Sequence, residues 1–488
     1  MTMHPGFATE TDIGEAHSDA AVRTGAPSIP DEQRPIEIPL KNLKTGSHDH
    51  DQDLNQAPHV STSVIARSAG AATSSITTDA AQSNNASSPR TTARIQFSSL
   101  CFSLFLAGWN DGTIGPLLPR IQQVYKVNFA VVSTIFVAAC VGFLVGSLAT
   151  IYITNRFGFG KILVFGALCQ ASGYVIQSFA PPFPAFLFSF ALAGLGLQLQ
   201  EAQANSYVAS LQRRPEAKMG MLHAAYGIGA FSSPLVSTQF VGFSRWSLFF
   251  LASLGLAVAN IILQCFVFRF RRQNECLQLA GEFIPERIVE LSGTEESTFR
   301  SVMRNKAAHS LAVFGLLYVG VEVTIGGWIV TYLINVRGGG SSAGYISSGF
   351  WGGITIGRVL LLWVNKKVGS RRVLFIYAIL SIGLEFIIWF VPSLIGDAVA
   401  VSLIGIFFGP MFPLIMDQAT RIIPRFILTG SIGWISGIAQ TGSALLPFIT
   451  GAVAEKHGIS SLQPLLIGMM GIMTCLWAIV PNPPRRMD

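Results

Sequence analysis

Charge is scarce in this chain. Of its 488 residues only 12% are Asp, Glu, Lys or Arg, while half are hydrophobic, against about 25% charged in an ordinary soluble protein. The shortage argues for a membrane protein. Paired cysteines are lacking too: Cys101, Cys140, Cys169, Cys265, Cys276 and Cys475 show no paired spacing and five fall in apolar segments, so neither a disulfide framework nor a zinc site is implied. No P-loop occurs, which argues against ATP-driven pumping. Gly194-Leu195-Gly196 and Gly227-Ile228-Gly229 lie inside apolar runs and follow no strand, so a dinucleotide fold, and with it the most accessible enzyme reading, is set aside. No cofactor is expected.

Aromatics are almost missing from residues 1–95, where Phe7 is the single one among many Ser, Thr, Ala, Asp and Pro. Such a segment cannot bury enough apolar surface to offset its ordering entropy and reads as a disordered tail. It has no basic stretch followed by an apolar run, as a cleavable signal peptide would need. The tail carries 7 Lys/Arg against 11 Asp/Glu, so the rest of the chain has 26 against 15. That basic surplus sits in short loops between apolar runs, which is not the clustered pattern of nucleic-acid binding.

What the chain has instead is a series of apolar stretches of about 20 residues, each long enough to cross a ~30 Å hydrocarbon core as a helix. They run roughly over 96–119, 129–153, 160–180, 184–210, 219–242, 246–269, 307–335, 343–365, 371–391, 397–421, 427–453 and 461–481. This is an all-α membrane protein of twelve transmembrane helices in two six-helix halves, 96–270 and 307–481, joined by a polar cytoplasmic linker, 271–306, and ending in a short tail, 482–488. With the amino terminus inside, the inner loops and C-terminal tail hold 20 Lys/Arg and the outer loops five, which places both termini in the cytoplasm by the positive-inside rule.

The halves look like copies. Thr113-Ile114-Gly115 recurs as Thr324-Ile325-Gly326, 211 positions on, and Arg156-Phe157-Gly158 meets Lys367-Val368-Gly369 at the same offset. At an offset of 210, Gly227-Ile228-Gly229-Ala230 meets Gly437-Ile438-Ala439-Gln440. Parallel six-helix repeats are how major facilitator transporters are built, with substrate near the midplane between halves. The chain from about 96 to 481 resembles that superfamily, and its loop after helix 2 resembles the family signature. Asn155 stands where the family usually has Asp, which removes the acidic partner of a gating ion pair there. Trp109-Asn110-Asp111 through Pro119-Arg120-Ile121-Gln122, Glu201-Ala202-Gln203-Ala204-Asn205, and Leu222-His223 through Ser233-Pro234-Leu235 are similar to the fucose-permease-like branch. That branch holds proton-coupled sugar symporters as well as fungal members.

Charge inside a membrane costs ~3 kcal/mol upward and is usually functional. Asp111, Glu201, Glu322, Arg358, Glu385 and Asp417 qualify, with His223 as a titratable partner. The 211 offset carries Asp111 onto Glu322, so each half contributes one carboxylate to the central cavity. They are either spacers satisfied by amides and water or carriers of the driving proton, since burial disfavours the ionised form of a carboxyl. The resemblance supports the second reading for Asp111 and for Glu201. Gln198, Glu201 and Asn205 lie at i, i+3 and i+7, one helix face; they form a packed polar stripe or contact substrate hydroxyls. His223 and Tyr226 share a face of helix 5, whose Gly227, Gly229 and Ala230 permit close helix approach, as do Gly349, Gly353 and Gly357 on helix 8. With Asn110, Trp328 and Gln440 these residues make up the expected substrate site. Arg358 is expected to snorkel or to neutralise a carboxylate, Glu385 to be structural, and Asp417 to pair with Arg421 at i, i+4. Trp109, Trp328, Tyr332, Trp351 and Trp434 are near the expected cavity, where aromatic faces suit a sugar ring or a flat hydrophobic metabolite.

The resulting expectation is a monomeric secondary transporter, in the plasma membrane more than in an internal one. Its partners are the lipid bilayer, protons and a small-molecule substrate, and not nucleic acid. Export of a secondary metabolite and a non-transporting nutrient sensor are the alternatives.

Overall fold

The computed structural model describes residues 88–282 and 300–481, and the regular structure of the described residues is helical throughout. The first half contains α1 (Pro89–Tyr125), α2 (Phe129–Val132), α3 (Thr134–Phe157), α4 (Phe159–Ser178), α5 (Phe183–Ala209), α6 (Pro215–Val241), α7 (Phe249–Phe268) and the short α8 (Gln273–Leu279). The second contains α9 (Lys306–Arg337), α10 (Tyr345–Leu360), α11 (Leu362–Val368), α12 (Ser370–Phe390), α13 (Leu394–Phe408), α14 (Met411–Ile422), α15 (Arg425–His457) and α16 (Leu462–Ile479). The sequon at Asn85, most of the amino-terminal tail, the C-terminal tail and the linker segment 283–299 lie outside the described residues.

Among the described residues nine spans are long and apolar enough to cross a membrane, and α10 with α11, bent by 53°, makes a tenth if counted as one. α1 and α6 are long but too polar to qualify, since they carry Asn110, Asp111 and Arg120, and His223, Ser233 and Gln239. These two pack against each other along much of their length. A Cβ on Gly108, Gly112 or Gly229 would collide with the carbonyl of Tyr226, Ala230 or Phe105, respectively.

α1 starts at Pro89, earlier than the apolar pattern suggests. Ser88 accepts from the Thr91 amide and Pro89 occupies the first helical position, where its missing N–H costs nothing. Just after this extension Gln96 and Ser99 are buried, with Gln96 accepting from the Tyr207 hydroxyl at 2.6 Å. The start of the linker is likewise anchored. Cys276 and Leu277 of α8 join a buried cluster with Leu100, Phe159, Tyr207 and Phe268, and Glu282 accepts from the Gln212 amide at 3.0 Å.

The duplication is written into helix packing. Gly142 abuts the carbonyl of Ala191 and Gly353 that of Ser402; Gly194 abuts Ala139 and Gly405 abuts Phe350. Both members of each contact are displaced by 211 positions. Gly158 (φ 86°, ψ 163°) and Gly369 (φ 90°, ψ 140°) end α3 and α11 in matching conformations that L side chains rarely adopt. The offset of 210 for α6 and α15 is corrected: Gly229 against Phe105 recurs as Gly442 against Leu316, 211 positions on in one helix and 213 in the other. A three-residue slip is close to one helical turn, so short glycine matches cannot distinguish the two registers.

These close contacts predict sharp steric limits. Gly353→Val is expected to destabilise the protein by at least the ~1–3 kcal/mol typical of overpacking. Gly383→Val, where a Cβ meets nothing within 4 Å, is expected to leave the melting temperature in detergent unchanged or raised.

Candidate functional site

The two halves meet around a cavity of about 250 Å³. From the first half it is lined by Asn110 and Asp111 of α1, Phe136 and Cys140 of α3, Glu201 of α5, and His223 and Tyr226 of α6; from the second by Tyr318 and Glu322 of α9, Trp351 and Arg358 of α10, and Gln440 and Ser443 of α15. Three carboxyl groups and one guanidinium therefore share a small space. The polar helices α1 and α6 and their counterparts α9 and α15 supply most of it, so the polarity that disqualified α1 and α6 as lipid-facing spans is the polarity of the site.

Asp111 is accessible from the cavity although it lies deep in the bundle. The Tyr226 hydroxyl donates to its Oδ2 at 2.7 Å and the Asn110 amide to its Oδ1 at 3.3 Å. Glu322 is 8% exposed and interacts electrostatically with Arg358, Tyr318 and Asp111. Tyr318 also donates to the Phe408 carbonyl at 3.2 Å. Glu201 feels the charge of Asp111, and His223 that of Arg358. Carboxyl groups this close respond to one another's charge, as coupled sites do.

Of the residues singled out in the sequence, Asn110, Asp111, Glu201, His223, Tyr226, Glu322 and Gln440 come together here. Gln198, Asn205 and Trp328 are placed elsewhere. Gln198 packs beneath α3, where a Cβ on Gly146 would lie 3.0 Å from its own Cβ. Asn205 keeps its carbonyl oxygen buried without a hydrogen bond. Trp328 is fully buried, donates to the Pro447 carbonyl at 3.1 Å and packs on Phe129 and Phe136 of the other half. Of the other aromatics considered, Trp351 lines the cavity; Trp109 donates to Ser253 at 2.9 Å, Trp434 to His309 at 3.2 Å, and Tyr332 lies against Arg337.

Arg358 lines the cavity with Glu322 and interacts with it electrostatically, a placement that matches the neutralising alternative of the two expected for it. It lies seven residues after Trp351, two helical turns on the same face, and Tyr318 precedes Glu322 by four; those spacings were the available signals. Asp417 accepts from Arg421 at 3.0 Å, as expected of an i, i+4 pair. Glu385 is buried with neither carboxyl oxygen hydrogen-bonded, close to Asp397, which pairs with Arg337 at 2.8 Å.

Contacts between the halves gather on the Lys/Arg-poor side of the cavity. Gly344 abuts Thr238, and the related pair Gly451 and Ser133 closes the opposite seam. Gly115 abuts the Gly326 carbonyl; two residues 211 positions apart that touch each other lie close to the axis relating the halves. The Phe129 amide donates to Glu455 at 3.0 Å, and Gln239 bonds Tyr345. Toward the Lys/Arg-rich end, the ion pairs of the described residues do not cross between the halves: Lys218 pairs with Glu282 at the start of the linker and Arg421 with Asp417.

A sequence profile of the Major Facilitator Superfamily matches residues 100–430. The chain belongs to this superfamily. It is therefore a multi-pass integral membrane protein whose relatives are transporters rather than enzymes. Over 406 residues it is 27% identical to bypass of stop codon protein 6 of Saccharomyces cerevisiae, covering 78% of this chain and 82% of that one. Over 377 residues it is 22% identical to the glucose/mannose transporter GlcP of Bacillus subtilis, covering 77% and 90%. Its superfamily fold superposes on a bacterial homolog to the human lysosomal transporter Spinster with a TM-score of 0.67 at 12% identity, covering 80% and 97%. The E. coli fucose:proton symporter FucP superposes with a TM-score of 0.54 at 17% identity, covering 80% and 100%.

Proposed function

We propose that this chain is a proton-coupled secondary transporter of a small polar organic solute, a sugar or a molecule of similar size and hydroxyl content, on the fucose-permease-like branch of the superfamily. The observation that carries this reading is the cavity itself: Asp111, Glu201 and Glu322 from three helices share it with one arginine, Arg358. Excess carboxyl groups provide places for a proton, and the amides of Asn110 and Gln440 with the Trp351 ring provide the hydrogen-bonding and stacking surface that a polyol or sugar needs. A volume of about 250 Å³ is below the ~300–1,000 Å³ of typical ligand pockets, which favours a single ring over a large metabolite. Relatives named for glucose, mannose and galactose transport support the same class.

In this reading the chain has twelve spans, with α1 and α6 counted among them, and both termini in the cytoplasm of a monomer in the plasma membrane. The Lys/Arg-poor end, where the halves touch, faces outward, so the conformation is inward-facing. Trp328 belongs to the closed seam and the solute to the pocket below it.

The test is uptake of a panel of labelled monosaccharides into proteoliposomes with an imposed pH gradient. Glu201→Gln, which keeps shape and removes the titratable site, is expected to lose gradient-driven accumulation while its melting temperature stays within a few degrees of the unmodified protein. Normal accumulation by that variant would remove Glu201 from the mechanism.

A further inference from the structure

The first half contains a line of buried amides that no cavity contact explains. Asn260 and Gln264 of α7 both donate to Gln200 Oε1 of α5, at 2.7 and 3.0 Å. Gln200 donates to Gln170 Oε1 of α4 at 2.9 Å, Gln170 to the Tyr174 hydroxyl at 3.0 Å, and Tyr174 to Asn110 Oδ1 at 3.4 Å. Asn110 then donates to Asp111 Oδ1 at 3.3 Å. Every member before Asp111 is buried.

The chain has a direction. An amide that accepts at its oxygen has its NH₂ left to donate, and a hydroxyl has one proton to give, so each link orients the next. At its origin the chain closes on itself, because Gln264 donates to Ser103 at 2.9 Å and Ser103 to Asn260 Oδ1 at 3.1 Å. At its other end it opens at the carboxyl group of Asp111. Amides placed as simple helix glue could point either way; here Gln200, Gln170, Tyr174 and Asn110 each donate in turn toward the Asp111 carboxyl group, an arrangement in which successive hydrogen bonds strengthen one another.

We infer that this amide relay positions Asn110 against Asp111 and sets the pH at which Asp111 takes up its proton, with Tyr174 as its decisive link. The inference rests on the proposed proton-carrying role of Asp111. A proton arriving on Oδ1 would face the Asn110 N–H, and Asn110 can turn that donor away only by giving up the bond its oxygen accepts from Tyr174. Gln170, Tyr174 and Gln200 are thus positioning residues, acting through Asn110 and remote from the solute. From the other elements around it Asp111 faces Glu201 of α5, His223 and Tyr226 of α6, Tyr318 and Glu322 of α9, and Arg358 of α10. The substitution below leaves all of these in place.

The experiment follows the infrared C=O stretch of protonated carboxylic acid in the full-length protein in detergent, titrated with pH, with no solute required. The band belonging to Asp111 is identified by its loss in Asp111→Asn. Tyr174→Phe, which removes one oxygen and severs the relay, is expected to move the midpoint of that band to higher pH by about half a unit or more, a threefold or greater change in proton affinity. Gln170→Leu is expected to move it in the same direction. Gln177→Leu is the control, because Gln177 is equally buried on α4 but bonds nothing at either end of its amide, and it is expected to leave the midpoint in place. An unchanged midpoint in Tyr174→Phe, or an equal shift in Gln177→Leu, overturns the relay and leaves the proposed transport function standing. Absence of any Asp111-dependent band overturns the proton role of Asp111 and the relay with it.

Discussion

Asp111→Asn is expected to abolish accumulation driven by a pH gradient while leaving exchange of labelled for unlabelled solute across the same proteoliposomes. Exchange needs only the pocket and the rocking of the halves, whereas accumulation needs a group that binds a proton in one conformation and releases it in the other. Each unit of an imposed pH gradient supplies ~1.4 kcal/mol per proton, a concentration ratio of about ten, and that ratio is what the variant is expected to lose. Glu322 reaches the same cavity from the other half and senses Asp111 electrostatically. Glu322→Gln and the double variant therefore complete a cycle. If the two carboxyl groups share a site, the double variant departs from the sum of the single effects on solute affinity between about pH 5 and 9; strict additivity at every pH would leave their correspondence as a trace of duplication alone. Accumulation that survives in Asp111→Asn would move the proton site to another cavity group.

The sequence carried the duplication and the carboxyl groups because both are local in register. Asp111 and Glu322 each stand two residues before a Thr-Ile-Gly triplet, so aligning the triplets aligned the site. Periodicity, by contrast, tells the direction a side chain takes from its helix and says nothing about which neighbour crosses at that height. Gln198, Glu201 and Asn205 share a stripe, yet α5 lines the cavity with Gly194, Leu197 and Glu201: Gln198 falls where α3 presses on α5 at Gly146, and only Glu201 of the three reaches the opening. Trp328 is six positions past Glu322, about 240° around the helix, and its placement in the seam follows from that angle. Tyr174 and Gln170 could not be found from sequence, because each looks like an isolated polar residue in an apolar helix. Their meaning comes from α1, α4, α5 and α7 meeting around them.

Locking the seam gives the largest expected change. Thr238→Cys with Gly344→Cys is expected to bring transport to the level of empty liposomes under a mild oxidant and to return it fully with dithiothreitol. A Cβ on Gly344 lies 3.1 Å from that of Thr238, slightly inside the ~3.5–4.5 Å of a disulfide, so a small separation of α6 from the start of α10 accommodates the bond. Gly344 has φ −57° and ψ −30°, a conformation open to any L residue. The bond would join the halves at their closed end, on one of two seams related by the internal repeat, and a rigid-body rocking of the halves cannot proceed with that seam fastened. The native cysteines form no disulfide, and the unmodified protein under the same oxidant supplies the control. The locked form is expected still to bind solute from the Lys/Arg-rich side, read as a solute-induced rise in melting temperature, since the pocket lies beyond the seam. Full transport with the cross-link formed quantitatively would show that this seam does not open during the cycle, and the alternation of access assigned to these two ends would have to be abandoned.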